Sequence, residues 1–172
     1  MTLLETARLR LRRVRDDDLD ALYDIDRRPE VMRYVGPGKA RTREQVAASI
    51  ARVKALYEDA PGYGVWPGVE KAGGALVGMF LLLPYPETGE VEVGYRLHPD
   101  HWGKGYATEG ARALIDYAFK RLGLARVIAI AYPQNAVSIR VMQKAGMRDE
   151  GFIENRALGL KVAYHAIEKE AA

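Results

Sequence analysis

The stretch His101-Trp102-Gly103-Lys104-Gly105-Tyr106-Ala107-Thr108 joins a run with strand periodicity to a run with helical periodicity. A strand that passes into a helix through a glycine-rich turn points free N–H groups, and the positive end of the helix dipole, at whatever lies before the helix. The sequence therefore predicts a pyrophosphate clamp at this turn. The two glycines alone are equally consistent with a tight loop that binds nothing.

The run after this turn has the pattern of an amphipathic helix that begins near Ala107 and ends before Gly123. Its apolar positions recur at helical spacing: Ala111, Leu114, Ile115, Ala118, Phe119 and Leu122. The first turn of this helix would form part of the clamp.

A strand is predicted on each side of that helix. Residues 90–97 alternate, with Glu92, Gly94 and Arg96 on the face opposite Val91 and Val93. Residues 125–131 are almost wholly apolar, as in a strand buried in a parallel pairing, so the two strands and the helix form a right-handed βαβ unit.

Five further strands and three further helices follow from the same patterns. The strands are residues 7–14 with a basic solvent face, 63–71, 75–83, 147–153 and 160–167. One helix begins at the acidic triplet 16–18, a second has the capping box Thr42/Gln45, and the third is capped by Asn135. The last helix would turn four apolar residues inward, namely Val137, Val141, Met142 and Ala145.

Length and composition narrow the classes of protein. A chain of 172 residues with 48% hydrophobic residues predicts one domain over residues 1–172. The absence of cysteine excludes disulfides, thiolate metal sites and a cysteine nucleophile, and the three histidines lack metal-ligand spacing, so no metal is expected. No signal peptide or long apolar run is recognised, which favours a cytoplasmic protein with no membrane partner.

The formal charge of +3 is mild and decides little. It suits an anionic cofactor as well as nucleic acid, and the basic residues are scattered rather than gathered in one stripe, so no nucleic-acid partner is expected. A Rossmann dinucleotide site is also disfavoured, because Thr108 stands where its third glycine belongs and no acidic residue ends the strand after the helix.

Four segments occur in an order that resembles a known family. They are residues 5–12, the run Val91-Glu92-Val93-Gly94-Tyr95, the run 102–109, and a segment from Asn135 to Met147 with Ser138, Val141, Lys144 and Gly146 at fixed spacing. Together they resemble the GNAT superfamily of N-acetyltransferases, specifically the RimJ/RimL-like ribosomal-protein-acetyltransferase branch, over nearly the whole chain.

This resemblance implies an α/β (α+β) fold with a mixed, mostly antiparallel sheet of about six or seven strands and about four helices on both faces. It implies acetyl-CoA as cofactor, with the pyrophosphate on the amides of residues 103–108 and a hydrogen bond from Asn135 to the pantetheine arm. The implied cofactor-binding residues are Val93, Gly94, Tyr95, Trp102, Gly103, Lys104, Gly105, Tyr106, Ala107, Thr108, Asn135, Ser138 and Arg140. For Lys104 and Arg140 the alternative is a solvated surface charge, which is the commoner role of such residues.

Two residues are candidates for catalysis. Glu92 would take a proton from the attacking amine; the alternatives are an exposed strand carboxylate or an ion pair with Arg96. The resemblance implies that Ser138 offers its hydroxyl to the leaving sulfur, whereas capping support beside Asn135 is the alternative. Met142 stands where many members carry the tyrosine that protonates the thiolate, so this role would lie elsewhere or be unnecessary.

The resemblance therefore implies an N-acetyltransferase that moves an acetyl group from acetyl-CoA to a primary amine by direct attack in a ternary complex. A non-catalytic acyl-CoA-binding module is the alternative, and a homodimer is left open. The acceptor, a protein N-terminus or a small molecule, cannot be identified from the sequence. Four aromatic residues could line its side of the site or pack in the core: Tyr34, Tyr63, Trp66 and Tyr132.

Overall fold

A mixed sheet of eight strands forms the centre of the fold, in the spatial order β1-β2-β3-β4-β5-β6-β8-β7. The computed structural model describes residues 1–170. The strands are β1 Thr2–Glu5, β2 Leu9–Arg12, β3 Gly64–Glu70, β4 Leu76–Pro84, β5 Val91–Leu97, β6 Arg126–Ala131, β7 Arg148–Asn155 and β8 Leu160–Glu168. The helices are α1 Leu19–Asp26, α2 Pro29–Met32, α3 Arg43–Asp59, α4 Tyr106–Lys120 and α5 Ala136–Lys144, with 3-10 turns at Asp16–Asp18 and Pro99–His101.

The sheet confirms the predicted class. All neighbouring strands are antiparallel except β5 and β6, which are parallel and are connected by α4 as the predicted βαβ unit. The strand count exceeds the prediction of seven because an additional strand, β1, precedes the predicted run 7–14 and pairs with β2 as a hairpin. The N–H of Thr6 donates to the carbonyl of Leu9 at 2.9 Å, which turns the chain between β1 and β2.

Helices cover both faces of the sheet. Phe80 of β4 is fully buried beneath Gly110 of α4, and Tyr95 of β5 contacts α5 on the same face. On the opposite face, α1 and α3 pack over β3, β4 and β5. The even-numbered positions of β5 point to this second face, because Glu92 and Arg96 pair in register with Leu83 and Met79.

Two details of the predicted elements are wrong. Arg12 does not lie on a solvent face, since its guanidinium forms two hydrogen bonds, of 2.7 and 2.6 Å, with the buried Asp18. Val137 is 77% exposed instead of packing inward, whereas Met142 and Ala145 are buried as predicted. At about 100° per residue, Val137 lies on the far side of α5 from Met142.

Within residues 1–170, no helix has both the length and the hydropathy that a membrane crossing requires. Over the same residues, no group of three or more His, Cys, Asp or Glu side chains is arranged to hold a metal ion.

The close approach of α4 to the sheet gives a testable prediction. A Cβ added at Gly110 would lie 2.1 Å from Cε1 of Phe80, which is fully buried. Gly110→Ala should therefore lower the free energy of unfolding by about 1–3 kcal/mol, although the same change in an ordinary helix interior stabilises by about 1 kcal/mol. Urea unfolding of both proteins measures the difference.

The matched control is the same change in a Phe80→Leu background. Leucine lacks the ring carbon that the new methyl group would meet, so the penalty should shrink there. A Gly110→Ala protein as stable as the wild type would contradict the proposed packing.

Candidate active site

Strands β5 and β6 pair at only one position within the described chain, Glu92 with Ile128. The other edge of β5 is paired with β4 along its whole length, and the other edge of β6 is paired with β8. The two strands therefore separate toward their carboxyl ends, between residues 93–97 and residues 129–131. We call this gap the wedge. The N–H groups of β5 that point into it have no partner strand.

The open end of the wedge lies beside the turn that leads into α4. Gly103 and Gly105 have φ angles of +71° and +82°, a left-handed conformation that favours glycine. Gly105 is the N-cap of α4 and no side chain caps this helix. The N–H groups of Tyr106, Ala107 and Thr108 thus lack intrahelical partners and are available to an anion.

Two side chains of the turn, those of Trp102 and Tyr106, make hydrogen bonds within the protein. The hydroxyl of Tyr106 bonds Glu70 and its ring is buried, so only its backbone N–H can face the turn. The indole N–H of Trp102 donates to the last carbonyl of β5, that of Leu97, at 2.9 Å. Lys104 is exposed. The predicted clamp therefore depends on backbone groups.

Arg8 is a residue at this turn that the sequence analysis missed. Its side chain donates to Glu109 Oε2 at 2.7 Å and to the carbonyl of Lys104 at 2.9 Å. Although burial opposes ionisation of Glu109, hydrogen bonds from Thr6 and Arg8 lower its pKa. Arg8 therefore neutralises a carboxylate that would repel a phosphate in the first turn of α4. Its own side chain remains 46% exposed beside Gly105.

Glu92 lies at the apex of the wedge, on the face covered by α1 and α3. It is partly buried, and burial, followed by the negative charge of Glu87, raises its pKa to about 7. Arg96 is not its partner, because the guanidinium of Arg96 forms two hydrogen bonds, of 2.7 and 3.0 Å, with Asp26. Both alternatives from the sequence analysis, an exposed carboxylate and an Arg96 ion pair, are wrong.

The amino-terminal turn of α5 lies across the wedge from the clamp. Asn135 accepts a hydrogen bond from the N–H of Ser138 at 3.2 Å, which confirms its capping role. The hydroxyl of Tyr95 donates to the carbonyl of Ser138 at 3.0 Å and lies 3.1 Å from Ser138 Oγ. Burial raises the pKa of Tyr95 to about 12, so it stays protonated. Arg140 is exposed, and Met142 belongs to the core.

A cavity of about 380 Å³ lies between α3 and the Glu92 face of the sheet. We call it the α3 cavity. Leu83 contributes to its wall and is the cross-strand partner of Glu92, so their Cβ atoms lie about 5 Å apart. The aromatic residues expected on the acceptor side lie outside its wall. Trp66 is buried against Tyr57, and Tyr132 donates to the carbonyl of Gly36.

Comparison with known proteins places this arrangement in a family. A family model described as acetyltransferase (GNAT) domain matches residues 8–148. The chain belongs to the GNAT acetyltransferase family. It is 36% identical over 152 residues to the FsC-acetyl coenzyme A-N(2)-transacetylase of Aspergillus fumigatus, with 84% of this chain and 64% of that protein covered. The chain thus spans less than two thirds of that relative.

Solved GNAT structures share the whole fold. The acetyltransferase (GNAT family) from Bacillus anthracis superposes with a TM-score of 0.84 at 29% identity and covers 98% of each chain. RimL, a ribosomal L7/L12 alpha-N-protein acetyltransferase in complex with coenzyme A, has a TM-score of 0.79 at 16% identity, again over 98% of each chain. The second likeness shows the fold alone.

The glycine turn of this GNAT chain gives a second testable prediction. Gly105→Val would force a β-branched residue into a left-handed conformation and displace the N–H groups at the start of α4. Its affinity for coenzyme A, measured by calorimetry, should fall by about tenfold or more.

Gly74→Val is the matched control for this change. Gly74 has a comparable φ of +72° but lies in the hairpin turn between β3 and β4. The control should share the strain and keep the affinity. Equal loss of affinity in the two variants, or unchanged affinity in a folded Gly105→Val protein, would contradict the clamp.

Proposed function

We propose that this GNAT protein is an N-acetyltransferase that moves an acetyl group from acetyl-CoA to a primary amine by direct attack in a ternary complex. The observation that carries the proposal is Glu92. Burial raises the pKa of its carboxyl group to about 7, no cation pairs with it among residues 1–170, and its cross-strand partner Leu83 lines the α3 cavity. A general base for amine chemistry needs these properties.

The groups around the wedge suit coenzyme A. The uncapped N–H groups of α4 and the cation of Arg8 fit a pyrophosphate, and the unpaired edge of β5 fits the amide groups of a pantetheine arm. The name of the Aspergillus relative includes acetyl coenzyme A, which supports the same choice. When bound, acetyl-CoA would supply an acetyl thioester that is activated toward nucleophiles.

The residues around the bound thioester would then have separate catalytic roles. An aliphatic amine with a pKa of about 10.4 is mostly protonated at neutral pH, so Glu92 would accept its proton directly or through water. Those N–H groups of residues 93–96 that point into the wedge would donate to the acetyl oxygen as it gains negative charge. Direct attack is proposed because the chain has no cysteine and Ser138 neighbours a tyrosine rather than a base.

Ser138 is proposed to donate a hydrogen bond to the departing sulfur. The hydroxyl of Tyr95 donates its one proton to the Ser138 carbonyl, which leaves the Ser138 hydroxyl proton available for a hydrogen bond to the departing sulfur. Neither hydroxyl gives up its proton, so the sulfur leaves as the thiolate. A thiolate is already a tolerable leaving group at a pKa of about 8.5, so this contribution is smaller than that of Glu92.

The finer assignments rest on the sequence motifs. The RimJ/RimL-like branch, a cytoplasmic location and the absence of nucleic-acid partners stay predictions, and a homodimer is left open. A non-catalytic acyl-CoA-binding module is less well supported, because cofactor binding alone gives no reason for a half-buried carboxylate without a cation at the apex of the wedge.

Glu92→Gln tests the central role. It should lower kcat/KM by about a hundredfold or more while affinity for acetyl-CoA stays unchanged. The wild-type rate should rise with pH up to about 7 and then level off, since only the deprotonated base is active. Steady-state kinetics by thiol release from pH 5 to 9 would measure both effects, and wild-type activity in Glu92→Gln would remove Glu92 from the mechanism.

Two measurements distinguish a titrating Glu92 from a structural one. Glu87→Gln removes the negative charge that raises the pKa of Glu92, so the midpoint of the pH profile should move to lower pH. The folded pKa also exceeds the usual 4.5, so the wild type should lose up to about 3 kcal/mol of stability as the pH rises from 4.5 to 7. Glu92→Gln should lack this loss.

Ser138→Ala should reduce kcat by roughly tenfold at most, because sulfur can leave unprotonated. Asn135 caps α5 through the N–H of residue 138, which the substitution keeps, so the fold should be intact. Thermal unfolding and kcat of this variant are compared with those of the wild type. A loss as large as that of Glu92→Gln would make Ser138 essential, contrary to the proposal.

A further inference from the structure

The wall of the α3 cavity contains an excess of positive charge. Three guanidinium groups, those of Arg41, Arg52 and Arg96, lie in it together with the carboxylate of Asp26. Most of the remaining wall is apolar, with Val46, Ile50, Val53 and Leu83 among its residues. Neither the GNAT match nor the proposed chemistry at Glu92 requires this charge.

Asp26 neutralises only one of the three cations. Its side chain is 1% exposed, and both oxygens are held by Arg96 at 2.7 and 3.0 Å. Arg41 reaches the same carboxylate only at 3.4 Å and is 31% exposed. Arg52 donates to Ser49 Oγ at 2.9 Å, and no carboxylate pairs with it among residues 1–170. Two guanidinium groups therefore retain most of their capacity to bind an anion.

Arg41 lies close enough to the other two arginines to be repelled by them. Burial, followed by the positive charges of Arg96 and Arg52, lowers the pKa of Arg41 despite the opposing effect of Asp26. An anion between Arg41 and Arg52 would relieve this repulsion. A carboxylate is well suited, since guanidinium groups bind it through paired N–H donors.

The distance between these cations and Glu92 determines how long a ligand must be to reach both. Glu92 and Arg96 lie on the same face of β5, four residues apart, which corresponds to about 13 Å along a strand. A molecule with its amine at Glu92 and an anion near Arg41 and Arg52 needs a spacer across the apolar wall. A simple alkylammonium ion would leave the excess positive charge of this cavity uncompensated.

We propose that the acceptor is a primary amine that carries a carboxylate at its far end, across an apolar spacer, with the carboxylate bound by Arg41 and Arg52. This inference rests on the proposed N-acetyltransferase function and specifies its substrate class. The amine would lie next to Glu92 and the spacer along the apolar wall. The carboxylate would lie between Arg41 and Arg52.

The test uses the purified protein, acetyl-CoA and unbranched ω-aminoalkanoates of increasing chain length. Each is compared with the ω-aminoalkanamide of the same length, which differs only in the charge of the far end. At the favoured length the carboxylate should have a kcat/KM at least about tenfold higher than its amide. Alkanoates without an amine should compete with the substrate, and alkanamides should compete far less.

Arg41→Gln and Arg52→Gln should each reduce the carboxylate-to-amide ratio toward one, with turnover of the amide retained. Arg43→Gln is the matched control, because Arg43 lies on α3 but pairs with Asp20 outside the cavity wall. Arg96→Gln is unsuitable, since it would leave the buried Asp26 without its main partner and destabilise the fold.

The outcomes separate this inference from the proposed function. Equal turnover of carboxylates and amides at every length, or a ratio that persists in Arg41→Gln and Arg52→Gln, would overturn the inference and leave the acetyltransferase intact. No turnover of any amine by a protein that binds acetyl-CoA would overturn both. The competition by alkanoates uses the wild type alone and does not depend on the folding of a variant.

Discussion

The separation of β5 from β6 after a single parallel pair is the constraint on which the rest of the site depends. Unpaired backbone N–H groups inside a sheet are costly unless a ligand or water satisfies them. The fold keeps the gap open because each strand is fully paired on its other edge. Trp102 bonds the last carbonyl of β5 and Tyr95 bonds α5, so both margins of the wedge are fixed.

The same strand also determines the charge around Glu92. An arginine in contact with a carboxylate lowers its pKa, and Arg96 is the only cation within β5. Asp26 binds Arg96 through both oxygens. Glu92 therefore has no cation partner from its own strand, and burial and the charge of Glu87 raise its pKa to about 7.

Local patterns predicted much of this molecule. The Thr42/Gln45 capping box, the helix that follows the glycine turn and the βαβ unit all depend on neighbours close in sequence, and all are confirmed. Contacts between residues that are distant in the sequence could not be predicted. Arg8 and Glu109 are 101 positions apart and Arg96 and Asp26 are 70 apart, and nothing in a single sequence pairs them. The prediction that Val137 packs inward was wrong for another reason. One apolar residue does not determine which face of a short helix is buried.

Gly94 connects the two ends of the proposed acceptor site. It lies on the same face of β5 as Glu92 and Arg96 and halfway between them, and a Cβ there would approach Leu81 Cγ to 3.0 Å. A side chain would also stand between the base and the arginines. The alternation of β5 thus places a base, a gap and a cation in sequence on one face, while Val93 and Leu97 are buried in the core on the other. One strand thereby supplies a margin of the wedge and a wall of the proposed acceptor site.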